Sequence, residues 1–249
     1  MKSAFDAAWW PSILHALKEF NCPRNLYNVI TNYFSERSAS MTIGNQTIER
    51  EVTKGCPQGS CCGPGLWNVQ YNSVLNLQYN KQTRVIAFAD VLILATKGES
   101  RSEAENIMNI EMKKITLWAR KQKISFNEEK SKVMLISRRK RREPRNISIY
   151  LNNRLLEQVN SMKYLGIVID SKFKFNQHIK CTAEKCATLI HTLSKSAKLN
   201  WGLNHEALKT IYNGAILPLM LYGAPVWIEA MKYKSNRRLY NRVQRYIHT

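Results

Sequence analysis

Four residues in the last third of the chain have the types and spacing of a zinc ligand set: His178, Cys181, Cys186 and His191, separated by two, four and four residues. These are the gaps of a zinc knuckle with the ligand types permuted. The surrounding stretch from Phe175 to Lys198 holds neither Gly nor Pro and carries Ile179, Ala183, Cys186, Ile190 and Leu193 at helical spacing. On a helix turning ~100° per residue the four side chains point near ~0°, ~300°, ~80° and ~220°, around the whole cylinder. They could share one ion only if that helix were broken. No zinc is expected, and the four read as ordinary helix residues.

Three other segments have chemistry suited to nucleic acid. Gly55-Cys56-Pro57-Gln58-Gly59-Ser60 is a turn leading toward a helix, and its glycines let a backbone approach a base pair closely because they carry no side chain. The same hexapeptide could be an ordinary turn. Lys130 to Arg145 holds eight basic residues, among them Arg138, Arg139, Lys140, Arg141 and Arg142, against the single acid Glu143. Such a run reads as phosphate-contacting, as a solvated loop or as a nuclear import tag. Lys232 to Arg245 holds six basic residues, including Arg237, Arg238 and Arg242, and no acid. Leu239, Val243, Tyr246 and Ile247 form its apolar side, which makes it a docked helix with a cationic outer face. Binding through either basic segment should fall steeply with salt.

The elements that position these residues follow from periodicity and breakers. Helices are predicted over 10–19, opened by Trp10-Pro11, and again after Pro23. Ser38 to Val52 reads as a hairpin folded at Gly44-Asn45. A helix follows over 66–77. Arg84 to Thr96 is a strong strand signal interrupted at Ala89-Asp90, and 99–123 is an amphipathic helix. A short strand covers 133–136. Strands at 147–151 and 155–159 pair across Asn152-Asn153, and 164–169 is a further strand. From Lys172 onward only helical pattern remains, so the domain boundary is placed near 170.

The whole composition agrees with a polyanion partner. The chain has 249 residues with 38 Lys+Arg against 18 Asp+Glu, a formal charge of +20, while 44% hydrophobic and 10% aromatic residues exclude a disordered polymer. The longest apolar stretch, Ala215 to Ile228, has 14 residues and is broken by Pro218, Gly223 and Pro225, whereas a spanning helix needs about 20. No membrane partner is expected. Six Cys without a framework read as reduced thiols in an intracellular protein.

Set in order, several short blocks resemble the reverse transcriptases of non-LTR (LINE-type) retrotransposons, above all those that insert into ribosomal DNA. The blocks are Ser3-Ala4-Phe5-Asp6, Gly55 to Ser60, Ala87-Phe88-Ala89-Asp90, Phe126-Asn127-Glu128-Glu129-Lys130-Ser131-Lys132 and Met162-Lys163-Tyr164-Leu165-Gly166, continuing into Leu217 to Gly223. Group II intron reverse transcriptases share several of them and fit less well. The resemblance implies an α+β fold: a right-hand polymerase palm of antiparallel sheet and packed helices over 1–170, then an all-helical thumb over 171–249, with the fingers largely missing. It implies an RNA template, a DNA primer or RNA–DNA hybrid and a dNTP as partners, and work in the nucleus at the site of integration, with the cytoplasm as alternative. It leaves the oligomeric state open.

The resemblance also implies two Mg²⁺ ions about 4 Å apart, one activating the primer 3′-oxygen and one neutralising the pyrophosphate. Residue by residue, Asp90 becomes the first Asp of the metal-binding hairpin pair. Phe5 resembles the aromatic gate against a 2′-hydroxyl, with a core role as the alternative. Gln58 and Gly59 would lie along the template and nascent base pair. Lys130 matches the lysine near the triphosphate, a proton donor to pyrophosphate, or is plain surface. Tyr164, Leu165 and Gly166 resemble the primer-holding hairpin, with Tyr164 as core the alternative.

Two departures weigh on activity. The family's first metal-binding Asp lies upstream of the matched Lys-Ser-Ala-Phe, and Asp6, which falls after the aromatic, reads as a helix-start acid. Asp90 is followed by Val91 where the family has a second Asp, through a substitution or through a one-residue loss. One carboxylate cannot offset the repulsion of two dications. The expectation is a truncated, catalytically defective fragment. A working polymerase completed by a longer chain, a non-catalytic RNA- or DNA-binding protein that also uses aromatics such as Trp227 and Tyr240, and an aggregating fragment are the competing readings.

Overall fold

The computed structural model describes residues 4–57, 59–137, 146–198 and 205–248, and Gln58 and Arg138, Arg139, Lys140, Arg141 and Arg142 lie outside them. The chain divides into two compact units, 1–133 with 146–157, and 134–145 with 158–249.

The first unit mixes helices with hairpins. Helix α1 (Trp10–Glu19) has Pro11 in its first turn, where a missing N–H costs nothing, and buries Ile13, Ala16 and Leu17. Helix α2 (Arg24–Phe34) is followed by hairpin β1 (Ser38–Ile43) and β2 (Gln46–Glu51), closed by Ile43 opposite Gln46 with Gly44 at φ +60°. Helix α3 (Gly63–Tyr71) begins three residues before its sequence-predicted start and passes into a 3-10 turn at Asn72–Val74. The reason is local: Pro64 stands in the first turn, and the Ser60 hydroxyl accepts the Gly63 N–H at 3.0 Å. Hairpin β3 (Thr83–Phe88) and β4 (Val91–Thr96) turns at Ala89-Asp90, as the interrupted strand signal predicts.

Helix α4 (Arg101–Lys121) is capped at both ends of its first turn. Ser100 Oγ accepts the Glu103 N–H at 3.1 Å, and Glu103 reaches back to the Glu99 N–H at 2.8 Å. Its inner face, with Met112, Ile115 and Trp118, joins Ile13, Leu66, Trp67 and Val74 in one core. Short strands β5 (Lys132–Val133), β6 (Tyr150–Leu151), β7 (Arg154–Leu155) and β8 (Glu157–Gln158) follow. The strand expected over 133–136 is therefore two residues long and one residue earlier. Strands β6 and β7 pair across Asn152 and Asn153, both at positive φ (+50° and +62°), the geometry that two-residue hairpins favour.

The second unit begins with a correction. The single strand predicted over 164–169 is a hairpin, β9 (Ser161–Tyr164) and β10 (Ile167–Asp170), because Leu165 and Gly166 both adopt positive φ (+44° and +86°) and reverse the chain. The contact boundary lies at 157/158 rather than near 170, so this hairpin groups with the helices that follow it. Those are α5 (Asn176–Lys198), α6 (His205–Ile211), α7 (Leu217–Leu221), α8 (Ala224–Trp227) and α9 (Lys234–His248), with a π-helical turn at Tyr212–Ile216 and a 3-10 turn at Ile228–Lys232. Ile179, Ala183, Cys186, Met220, Trp227 and Val243 form their core. Among the described residues no single helix is long and apolar enough to cross a membrane.

Candidate functional site

Asp90 sits half-buried at the tip of hairpin β3–β4, between Ala89 at φ +49° and Val91, which pairs with Phe88. A non-glycine residue in the left-handed region stores strain, and here the surrounding structure holds it. Trp67 does the holding: its indole N–H donates to the Ala89 carbonyl at 3.0 Å, and the ring is 1% exposed. One helical turn further along α3, Tyr71 stacks on Trp67 with centroids 5.2 Å apart, and burial, then the Asp90 carboxylate, push its phenol well above the usual range. The Tyr71 hydroxyl is buried and makes no hydrogen bond.

This pair belongs to a ladder of rings. Phe5 lies 5.8 Å from Trp67, Tyr71 lies 5.8 Å from Trp118, and Trp118 lies 6.5 Å from Phe126. Three sequence blocks distant in the chain are thus strung on one aromatic spine: Phe5, the Ala89-Asp90 turn reached through Trp67, and the Phe126 to Lys132 segment. Sequence reasoning singled out neither Trp67 nor Tyr71, although their i, i+4 spacing behind the glycine-rich turn was a legible signal.

The glycine-rich loop is fixed to the same spine. Cys56 N–H donates to Phe5 O at 2.8 Å, Gly55 N–H to Ala8 O at 2.7 Å, and the Trp10 indole to Gly55 O at 2.7 Å. Gly55 needs its φ of +100° and the close approach to Asp6 O, 3.2 Å from where a Cβ would stand. Gly59, at φ +82°, is exposed with open space beside it. Phe5 is half-buried against the core while its backbone anchors the loop. Asp6 lies in the turn before α1, whose first residue is Trp10, and is not a helix-start acid. Burial, then Cys62, pushes the Cys56 thiol up to about 11, which makes it a packing group.

Lys130 is exposed on a turn organised by Asn127, whose side-chain oxygen accepts the Glu129 and Lys130 N–H groups at 3.1 Å each. The neighbouring acids face the β6–β7 hairpin: Glu128 accepts from Asn152 at 2.5 Å and Glu129 pairs with Arg154 at 3.2 Å. They supply no oxygen to Asp90 by these contacts. The resemblance implies divalent metal ions beside Asp90, so the donor set matters. Asp90 offers one carboxylate beside an apolar Val91, and among the described residues no group of three or more His, Cys, Asp or Glu could hold an ion. These residues do not fit a two-ion site.

In the second unit, Tyr164 is half-buried and Leu165 and Gly166 form an exposed tip. His178 and Cys186 are buried on the unbroken helix α5, while His191 is exposed. Of the aromatics near the basic segments, Trp227 and Tyr240 are core groups, while Tyr233 is exposed. Trp227 is buried with its indole N–H on Tyr222 O at 2.8 Å, and Tyr240 donates to Met220 O at 3.1 Å. Arg237, Arg238 and Arg242 lie on the exposed side of α9, opposite Tyr240 and Val243.

Residues 1–169 match the family model of the reverse transcriptase (RNA-dependent DNA polymerase). The chain belongs to the reverse transcriptase family. Its relatives narrow the kind. It is 31% identical over 239 residues, 96% of this chain and 23% of the other, to a 115 kDa protein in the type-1 retrotransposable element R1DM of Drosophila melanogaster. It is 31% identical over 199 residues, 78% and 48% respectively, to a retrovirus-related Pol polyprotein from the type-1 retrotransposable element R1 2 of Nasonia vitripennis. It is 27% identical over 243 residues, 95% and 26%, to the RNA-directed DNA polymerase from mobile element jockey of Drosophila melanogaster. The chain spans between about a quarter and a half of the length of these curated relatives. The resemblance to non-LTR retrotransposon reverse transcriptases read from the ordered blocks is therefore sound.

Proposed function

We propose that this chain is the polymerase-core portion of an RNA-directed DNA polymerase from a non-LTR retrotransposon. Its first unit acts as palm and its helical unit as thumb, with an RNA template, a DNA primer and a dNTP as substrates. The observation that supports this most is the family match over 1–169, with Asp90 presented at the tip of a strained hairpin on the Trp67 support.

Each remaining role follows the residue chemistry. The loop is tied at Gly55 and Cys56 to Ala8 and Phe5, and the exposed Gly59, with open space beside it, leaves room for a base pair. Phe5 holds that loop through its carbonyl, which accepts the Cys56 N–H, and its ring packs beside Trp67. Lys130 neutralises phosphate charge in this reading, which its exposure and its cationic side chain support. Arg237, Arg238 and Arg242 give the thumb a cationic stripe for the nucleic-acid backbone.

With one carboxylate at the turn, the chain is expected to bind primer–template without extending it. Primer extension on an RNA template with Mg²⁺ or Mn²⁺ checks this. No incorporation is the expected result; template-dependent dNTP incorporation abolished by Asp90→Asn would overturn the defect.

A further inference from the structure

The block Leu217 to Gly223 has no role that its residue types announce. Its last two residues close on the turn of hairpin β9–β10. The Tyr222 hydroxyl donates to the Leu165 carbonyl at 2.9 Å, and its ring covers Gly166 so closely that a Cβ there would lie 2.8 Å from Tyr222 Cε1. Gly223, at φ +64°, leaves room for Ile167, whose Cδ1 a side chain at 223 would overlap. Gly166 and Gly223 are thus both required by one contact between two segments more than fifty residues apart.

A second layer holds Tyr222 itself. The buried Trp227 donates its indole N–H to Tyr222 O at 2.8 Å, and the His178 ring lies 5.7 Å from Trp227. His178 Nδ1 accepts the Val168 N–H at 3.4 Å, so the strand after the turn is fixed by the same cluster. Leu165 carries the strain: it is a γ-branched residue at φ +44°, 40% exposed, and its carbonyl is the atom that Tyr222 holds.

We infer that Tyr222 is a positioning residue for the Tyr164-Leu165-Gly166 turn, holding the Leu165 carbonyl with its hydroxyl and covering Gly166 with its ring, so that the exposed tip keeps one orientation toward the recessed 3′ end of a DNA primer on an RNA template. This rests on reading that turn as the primer-holding hairpin. Tyr222 touches no substrate in this account and acts through the turn. A phenylalanine would keep the ring cover and lose the hydroxyl, leaving the Leu165 carbonyl to water.

The test uses the full chain, Tyr222→Phe and, as a second variant that also removes the ring, Tyr222→Leu. Amide hydrogen exchange over 164–167 is followed beside the affinity for a labelled DNA primer annealed to a longer RNA template, with a blunt hybrid as control. Tyr222→Phe should speed exchange in the turn about fivefold, equivalent to about 1 kcal/mol, and leave the core of α5 protected. It should weaken binding of the recessed hybrid by a similar factor, with the blunt hybrid unchanged; Tyr222→Leu should do both more strongly. Unchanged exchange in both variants overturns the clamp whatever the affinity does. Faster exchange with unchanged affinity for the recessed hybrid overturns the reading of the turn as primer-holding and leaves the clamp standing as architecture.

Discussion

Two neighbours on α3 show how different buried polar groups are in cost. Trp67 spends its N–H on the Ala89 carbonyl, while the Tyr71 hydroxyl, 3% exposed as a residue, makes no hydrogen bond. Removing a satisfied donor leaves the carbonyl unpaired and a gap behind; removing an unsatisfied one relieves a desolvated group. Trp67→Phe should therefore cost about 2 kcal/mol, and Tyr71→Phe should be neutral or slightly stabilising, both read from urea midpoints of the full chain. If Tyr71→Phe proves as damaging as Trp67→Phe, the hydroxyl has a partner in solution and the hairpin tip is held by two groups. Val91, where the resemblance places a second acid, belongs to the same scale. Val91 pairs with Phe88 in ordinary antiparallel register, so the strand forms without any carboxylate there.

At the scale of elements, hairpins carry the chain reversals and their tips carry the candidate chemistry. Hairpin β9–β10 depends on a neutral His178, because an imidazolium has no lone pair at Nδ1 for the Val168 N–H and would be buried. Burial, then Lys185, lowers the His178 pKa from 6.5. The folded protein thus binds fewer protons than the unfolded chain in the window below 6.5. The contribution is fully present above that value and is lost as pH falls from 6.5 through the depressed folded pKa. Amide protection in β9–β10 and α5 should decline in that window, and His178→Gln should flatten the dependence; an unchanged slope in that variant would assign it to other groups. The β1–β2 hairpin is a contrasting element, with Met41 opposite Ile48 and both more than half exposed, so its pairing rests on backbone bonds and its turn.

For the whole molecule, a charge of +20 is a statement about partners rather than fold. Binding of an RNA–DNA hybrid should weaken steeply as salt rises from low to physiological concentration. Neutralising Arg237, Arg238 and Arg242 to Gln should make the log–log salt slope shallower by about 3 if each meets a phosphate. An unaltered slope would move the phosphate contacts to other cations of the chain.

Most elements were legible because short-range chemistry makes them: Trp10-Pro11 starts a helix, Asn152-Asn153 turns a hairpin, and Ala89-Asp90 interrupts an apolar run. The family was legible too, since its blocks keep residue types and order. The turn inside 164–169 was invisible to local pattern, although the resemblance pointed to a hairpin at Tyr164-Leu165-Gly166. Tyr-Leu-Gly-Ile-Val-Ile has the composition of a continuous strand, and the positive φ at Leu165 is held by a tyrosine at 222 that no local window contains. Whether Trp227 and Tyr240 meet a base or a core was open for the same reason: an aromatic beside basic residues suits either, and only packing decides. Local propensity and pattern belong to the sequence; which distant group satisfies a carbonyl, covers a glycine or buries a ring is settled when the chain closes on itself, because those energies exist only between segments brought together.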